Sequence, residues 1–130
     1  MEIRQFRVVV RARDFDHTCR FYGETLALPR LQSWDREIGR GALYAAGTGA
    51  IEVLGRPHGI ADGGRDEAFD YQGPQQKLVV VLNVPSAEQA YEELLFRDHN
   101  IPGGLHPDGD GSLVFETHDP DGVRILFRQA

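Results

Sequence analysis

FRVVVRARDFDHTCRFYGETLALP, residues 6–29, and KLVVVLNVPSAEQAYEELLFRDHNIP, residues 77–102, are two versions of one pattern. Each opens with a β-branched run, Val8–Val9–Val10 in one and Val79–Val80–Val81 in the other, of the kind that fits a pleated, half-buried strand. Each then offers a helix start. Asp14 and Asp16 are N-cap residues, and Ser86-Ala87-Glu88-Gln89 is a capping box in which side chains satisfy the first free amides. Phe15, Cys19, Tyr22 and Leu26 form an apolar stripe at helical spacing in the first segment, and Ala90, Tyr91, Leu94 and Leu95 do so in the second. Pro29 closes the first helix, and Asn100 and Pro102 the second, because proline has no amide to continue the ladder.

Both helices are followed by room for three short strands. In the first half these are Arg30–Trp34, Gly41–Ala45 and Ala50–Leu54, with glycines 39, 41, 47 and 49 marking the turns. In the second they lie around Gly104–His106, at Ser112–Thr117 and at Val123–Arg128, with Asp119-Pro120-Asp121-Gly122 as the last hairpin turn. Corresponding landmarks keep nearly one offset: Pro29 to Pro102 is 73 residues and Glu52 to Leu126 is 74. The reading is an α+β fold of two βαβββ repeats, with repeat one at about 1–54, a Gly-, Asp- and Pro-rich connection at 55–76, and repeat two at about 77–130. A chain of 130 residues suits a single domain with its own core.

Composition narrows the partners. Net charge is −6 and the arginines are scattered, which argues against nucleic acid. No apolar run is long enough to span a bilayer, and Ile3 begins strand-like sequence with no basic or apolar leader before it, so a cytoplasmic location is expected. Cys19 is the only cysteine, which excludes an internal disulfide. The Gly103-Gly104 and Gly109-Asp110-Gly111 stretches lead into no helix that could hold a phosphate, and read as turns.

Arg13-Asp14-Phe15 running into Phe21-Tyr22, the Leu26-Ala27-Leu28-Pro29 helix exit, the Ile51-Glu52-Val53-Leu54 strand and the Asp-Pro-Asp-Gly turn together resemble the vicinal oxygen chelate superfamily, of the glyoxalase, bleomycin-resistance protein and dioxygenase type. The resemblance covers nearly the whole chain. It implies a cupped eight-stranded mixed sheet with helices outside, a ligand cavity on the concave side and a homodimer. It also implies four positions from which metal-using members bind a divalent ion. Here those positions hold Arg7, Glu52, Val79 and Leu126.

Of the four, only Glu52 can ligate a cation. A guanidinium is positively charged and offers no lone pair, and Val and Leu have no donor atom. A slip of one residue in alignment restores no ligand set. The expectation is no metal and no cofactor, with a small-molecule ligand as partner.

Residues two apart on a strand share a face. With Arg7 at a ligand position, Val9, Arg11, Glu52, Val79, Val81, Asn83, Arg124, Leu126 and Arg128 face the cavity. Phe6, Val8, Val10, Ile51, Val53, Leu78, Val80, Leu82, Ile125 and Phe127 face the core. Arg7 and Glu52 are expected to form an ion pair. With Arg11 or Arg124 nearby, it presents a polar end to a ligand held by Val79, Val81 and Leu126, or else merely braces the sheet. Loss of Glu52 is expected to cost about 3 to 5 kcal/mol if the pair is buried.

Trp34 and Tyr44 are candidates to stack on a planar ligand, Trp34 also suiting a dimer contact, and Phe69 and Tyr71 could form a flap. His17, His58, His99, His106 and His118 show no metal-site spacing; His106 and His118 could meet across a hairpin. Three function classes follow: a metal-independent binder of an antibiotic-like or planar compound, an enzyme with Glu52 as base or with a displaced metal, and an accessory protein without ligand.

Overall fold

A computed structural model describes residues 2–57 and 78–130, which fall into two compact units, one on each side of residues 58–77. The first contains β1 (Arg7–Arg11), α1 (Phe15–Arg20) extended by one turn of π-helix (Phe21–Thr25), β2 (Arg30–Arg36), β3 (Gly39–Ala46) and β4 (Gly49–Gly55). The second contains β5 (Val79–Val84), α2 (Ala87–Phe96), β6 (His106–Pro107), β7 (Leu113–His118) and β8 (Arg124–Gln129). Each sheet is mixed and four-stranded, ordered β1-β4-β3-β2 and β5-β8-β7-β6, with the outer pairs β1–β4 and β5–β8 parallel. This is the α+β, twice-βαβββ architecture read from the sequence.

Register carries the repeat down to single residues. In the first sheet Arg7 lies beside Ala50 and Val9 beside Glu52; in the second Val79 lies beside Arg124 and Val81 beside Leu126. Arg7 thus corresponds to Val79, and Glu52 to Leu126, as the sequence offsets imply.

Local chemistry sets the helix ends. The Asp14 carboxylate accepts the His17 amide at 3.1 Å and Ser86 Oγ accepts the Gln89 amide at 3.1 Å, satisfying amides that have no partner inside the helix. The first helix departs from the regular 3.6-residue stripe. The π-turn brings neighbours Phe21 and Tyr22 both into the core, their rings edge to face at 5.0 Å, and the chain leaves through Ala27 at φ 55°. A left-handed alanine costs roughly 1–2 kcal/mol.

Both cores lie between sheet and helix. In the first unit Val10, Ala42, Tyr44, Ile51 and Val53 are buried, and the Tyr44 hydroxyl donates to the Cys19 carbonyl at 3.3 Å. In the second, Phe115 stacks on Phe127 at 4.6 Å and meets Tyr91 edge-on at 5.5 Å. His99, after α2, sets Nε2 2.5 Å from Thr117 Oγ1, and burial lowers its pKa.

Two residues expected in the core are outside it. Phe6 is 71% and Leu78 69% exposed. Each immediately precedes its strand, so the ladder begins one residue later, at Arg7 and Val79, and burial by the alternating pattern begins there too. Among the described residues no helix is long and apolar enough to cross a membrane. His58, Phe69, Tyr71 and most of the 55–76 connection lie outside the described residues.

A clamp holds the β6–β7 turn to β8. Arg128 donates to Asp108 Oδ2 at 2.6 Å, to the Asp110 carboxylate, and to Ser112 Oγ at 3.3 Å. Contact with the Asp108 side chain, then the Ser112 amide and hydroxyl, then Arg128, holds the Asp110 carboxyl well below its ordinary 3.8. The Arg128 guanidinium lies against the Asp110 carboxylate and favours its charged form. A depressed folded pKa stabilises the fold fully above the unfolded value and loses that contribution as pH falls through the folded value. Exchange protection of the Ser112 amide should therefore persist through and below about pH 4, where an ordinary aspartate is already half protonated. Loss centred near about pH 4, where an ordinary aspartate takes up its proton, would show that Asp110 is not held ionised by this clamp.

Candidate functional site on the helix-free sheet faces

Strand pairing maps the first sheet's face opposite α1 row by row. One row is Arg7, Ala50 and Ala45; the next is Val9, Glu52, Leu43 and Gln32; the third is Arg11, Leu54, Gly41 and Trp34. The expected ion pair is present: Arg7 Nη1 lies 2.5 Å from Glu52 Oε1, crossing from one row to the next, and Arg7 Nη2 donates to Gln5 Oε1 at 2.9 Å. Arg7 is 37% and Glu52 14% exposed. The pair is therefore half-buried, and the penalty of about 3 to 5 kcal/mol expected for a buried pair does not apply; screening by water brings it to about 1 kcal/mol or less.

Trp34 lies on this face, its indole covering Gly41 so closely that a Cβ there would meet ring atoms at 2.1 Å. The Arg36 guanidinium sits 5.8 Å from the indole centroid. The sequence placed Gly41 at a turn and at the start of a strand, and did not single it out as the residue beneath Trp34. A glycine paired with a large aromatic was the available signal, once register was known.

Tyr44 is corrected. It points to the helix side, fully buried, with Arg30 5.7 Å from its ring centroid, and burial together with the Cys19 contact pushes its pKa up to about 12. β3 alternates strictly, so Tyr44 shares a face with Ala42 and Arg40 and cannot stack on a ligand opposite.

The second unit has its own helix-free face. Val79, Val81 and Asn83 are exposed on β5, beside Arg124, Leu126 and Arg128 of β8. Arg124 is held by Glu116, with Nε at 2.9 Å and Nη2 at 2.7 Å from the same carboxylate oxygen, so its ion-pair partner is in its own unit. The sequence reading did not single out Glu116, although its alternation with buried Phe115 and Thr117 placed it on this face. His106 and His118 are not neighbours: His106 pairs with Val114 and contacts the Gly104 carbonyl, whereas His118 pairs with Arg124.

The donor set does not suit a divalent ion. The guanidinium of Arg7 takes up the carboxylate of Glu52, Val79 and Leu126 have no lone pair, and among the described residues no three His, Cys, Asp or Glu gather as ligands. Two open hollows of about 420 and 460 Å³ lie between α1 and β2, sharing Asp16, Cys19 and Arg30, and the first also reaches Trp34 and Gly41. They hold no residue of the Arg7–Glu52 rows.

Comparison with known proteins supports the fold independently. No functionally curated protein matches the sequence. A glyoxalase family protein from Enterococcus faecalis is 18% identical, with 98% of this chain and 97% of that one covered at a TM-score of 0.70. A lactoylglutathione lyase from Agrobacterium tumefaciens is 13% identical, covering 96% and 92% at 0.66. A glyoxalase I mutant from Zea mays is 20% identical over 98% of this chain and 45% of its own, at 0.78. At these identities the likeness concerns the fold, but the sequence profile of the family also matches over residues 4–127, and the chain belongs to the Glyoxalase/Bleomycin resistance protein/Dioxygenase superfamily.

Proposed function

We propose that this protein binds a small molecule on its helix-free sheet faces without a metal ion. The observation that carries the reading is the Arg7–Glu52 pair. The cation at these positions is a side chain of the protein itself, and the carboxylate that could have served a metal, or acted as a free base, is engaged by it. Beside the pair, Val9, Arg11, Trp34 and Leu54 offer apolar and cationic contacts on the face of the first unit. The second unit's own helix-free face carries Val79, Val81, Leu126 and Arg124. We take the units as halves of one domain and the working form as a cytoplasmic homodimer. In support of a dimer, β1 and β5 are edge strands that expose Val9 and Val79.

The test is a thermal-shift screen of planar and amphipathic compounds against purified protein, with and without chelator. Ligands should raise Tm equally in both conditions. Glu52→Gln should lower stability by about 1 kcal/mol or less and leave binding independent of added metal, because it removes a partner of Arg7 and not a metal ligand. Binding that appears only after zinc, iron or manganese is added, and vanishes in Glu52→Gln, would overturn the proposal.

A further inference from the structure

The chain is acidic overall, at −6, yet the helix-free face of its first sheet is not. Across the paired rows this face carries Arg7, Arg11 and Arg36 against one carboxylate, Glu52. Glu52 is taken up by Arg7. Arg11 and Arg36 are both exposed and have no ion pair among the described residues, so two positive charges remain around Trp34.

We infer that this face selects a planar aromatic anion, with its ring over Leu54 against the Trp34 indole and its acidic group on Arg11. The inference rests on the small-molecule reading above and names the ligand class. Three observations support it.

Arg11, Leu54, Gly41 and Trp34 occupy one transverse row, so the ring platform and the cation lie in line across the sheet. Strands are about 4.8 Å apart, so Arg11 and the indole over Gly41 are separated by roughly 10 Å, the length of a one- or two-ring aromatic acid. The floor between them is Leu54, which is partly exposed and apolar, and therefore suits a ring and not a second charge.

Geometry also assigns Arg36 a part. Its guanidinium is 5.8 Å from the indole centroid, near the outer limit of a useful cation–π contact, and its side chain is exposed. It can turn from the indole to the ligand's acidic group at little loss. An aromatic cation would face Arg11 and Arg36, and the one carboxylate of these rows, Glu52, is already held by Arg7.

Calorimetric titration with 2-naphthoate and with its near-isosteric cation, 2-naphthylmethylammonium, tests the assignment. The acid should bind saturably, with affinity falling as salt is raised, and the ammonium compound should bind at least about tenfold more weakly. Arg11→Gln should weaken naphthoate by about tenfold, the scale of one charge-assisted hydrogen bond. Arg97→Gln, on α2's exposed end, should leave it unchanged.

Equal or tighter binding of the cation, or naphthoate affinity indifferent to Arg11→Gln, would overturn the anion assignment while leaving small-molecule binding in place. If neither probe binds but compounds from the thermal-shift screen do, the class is likewise wrong and the function stands. If neither probe binds and the screen is also empty, both readings fail together.

Discussion

Phe115→Ala should cost about 3 to 5 kcal/mol, the usual penalty for emptying a fully buried aromatic site, and lower Tm by roughly ten degrees or more. The ring is completely buried, stacked on Phe127 at 4.6 Å with planes 10° apart, and closed at its edge by Tyr91 at 5.5 Å. Both neighbours are themselves anchored, Phe127 in β8 and Tyr91 in α2, so neither can collapse into the space without moving its element. Phe96 provides the contrast within the same unit. It is 90% exposed at the end of α2, and Phe96→Ala should stay within about 0.5 kcal/mol. Urea unfolding of the two variants checks both; a Phe115→Ala loss below about 1 kcal/mol would mean that the core of the second unit does not depend on this stack.

The residues that made the fold readable are those whose local chemistry has one outcome. Val8 and Val10 alternate with Arg7, Val9 and Arg11, Ser86 precedes a glutamine at capping distance, and the offset between repeats is nearly constant. The first two signals are local and the third is a repeat spacing, and each element they implied is present. The Arg7–Glu52 pair was expected from the family resemblance, which sets both residues at ligand positions, and the parallel β1–β4 pairing places those two side chains on one face. Tyr44 was misread for a physical reason: an aromatic residue in a strand is equally compatible with both faces until its parity against Gly41 and Glu52 is fixed. The π-turn after Arg20 was missed because one extra residue per turn leaves the Phe15–Cys19–Tyr22 stripe formally intact. Phe6 and Leu78 show the limit of alternation, which describes a ladder only from the residue at which pairing starts.

Gly41 is where sequence, register and site constrain one another most tightly, and Gly41→Val should evict Trp34 from the face. Any side chain at 41 begins with a Cβ, which would lie 2.1 Å from indole Cε2 and Cζ2 and 2.6 Å from Nε1. These atoms belong to a rigid bicyclic ring, so the clash cannot be relieved by turning a flexible chain end, and the whole indole must swing away. Overpacking of this kind costs about 1 to 3 kcal/mol, offset by up to about 1 kcal/mol because valine suits a strand better than glycine. The net loss in stability is therefore modest, but the optical change is large. Trp34 is the only tryptophan, and its emission should move from a partly shielded to a fully solvated maximum. Naphthoate affinity should fall with it, because the platform beside Leu54 has gone while Arg11 is untouched. Gly103→Ala is the matched control, since a Cβ there meets nothing within 4 Å, and neither emission nor affinity should change. Unaltered Trp34 emission in folded Gly41→Val would show that the indole does not rest on Gly41, and would remove the aromatic half of the proposed site.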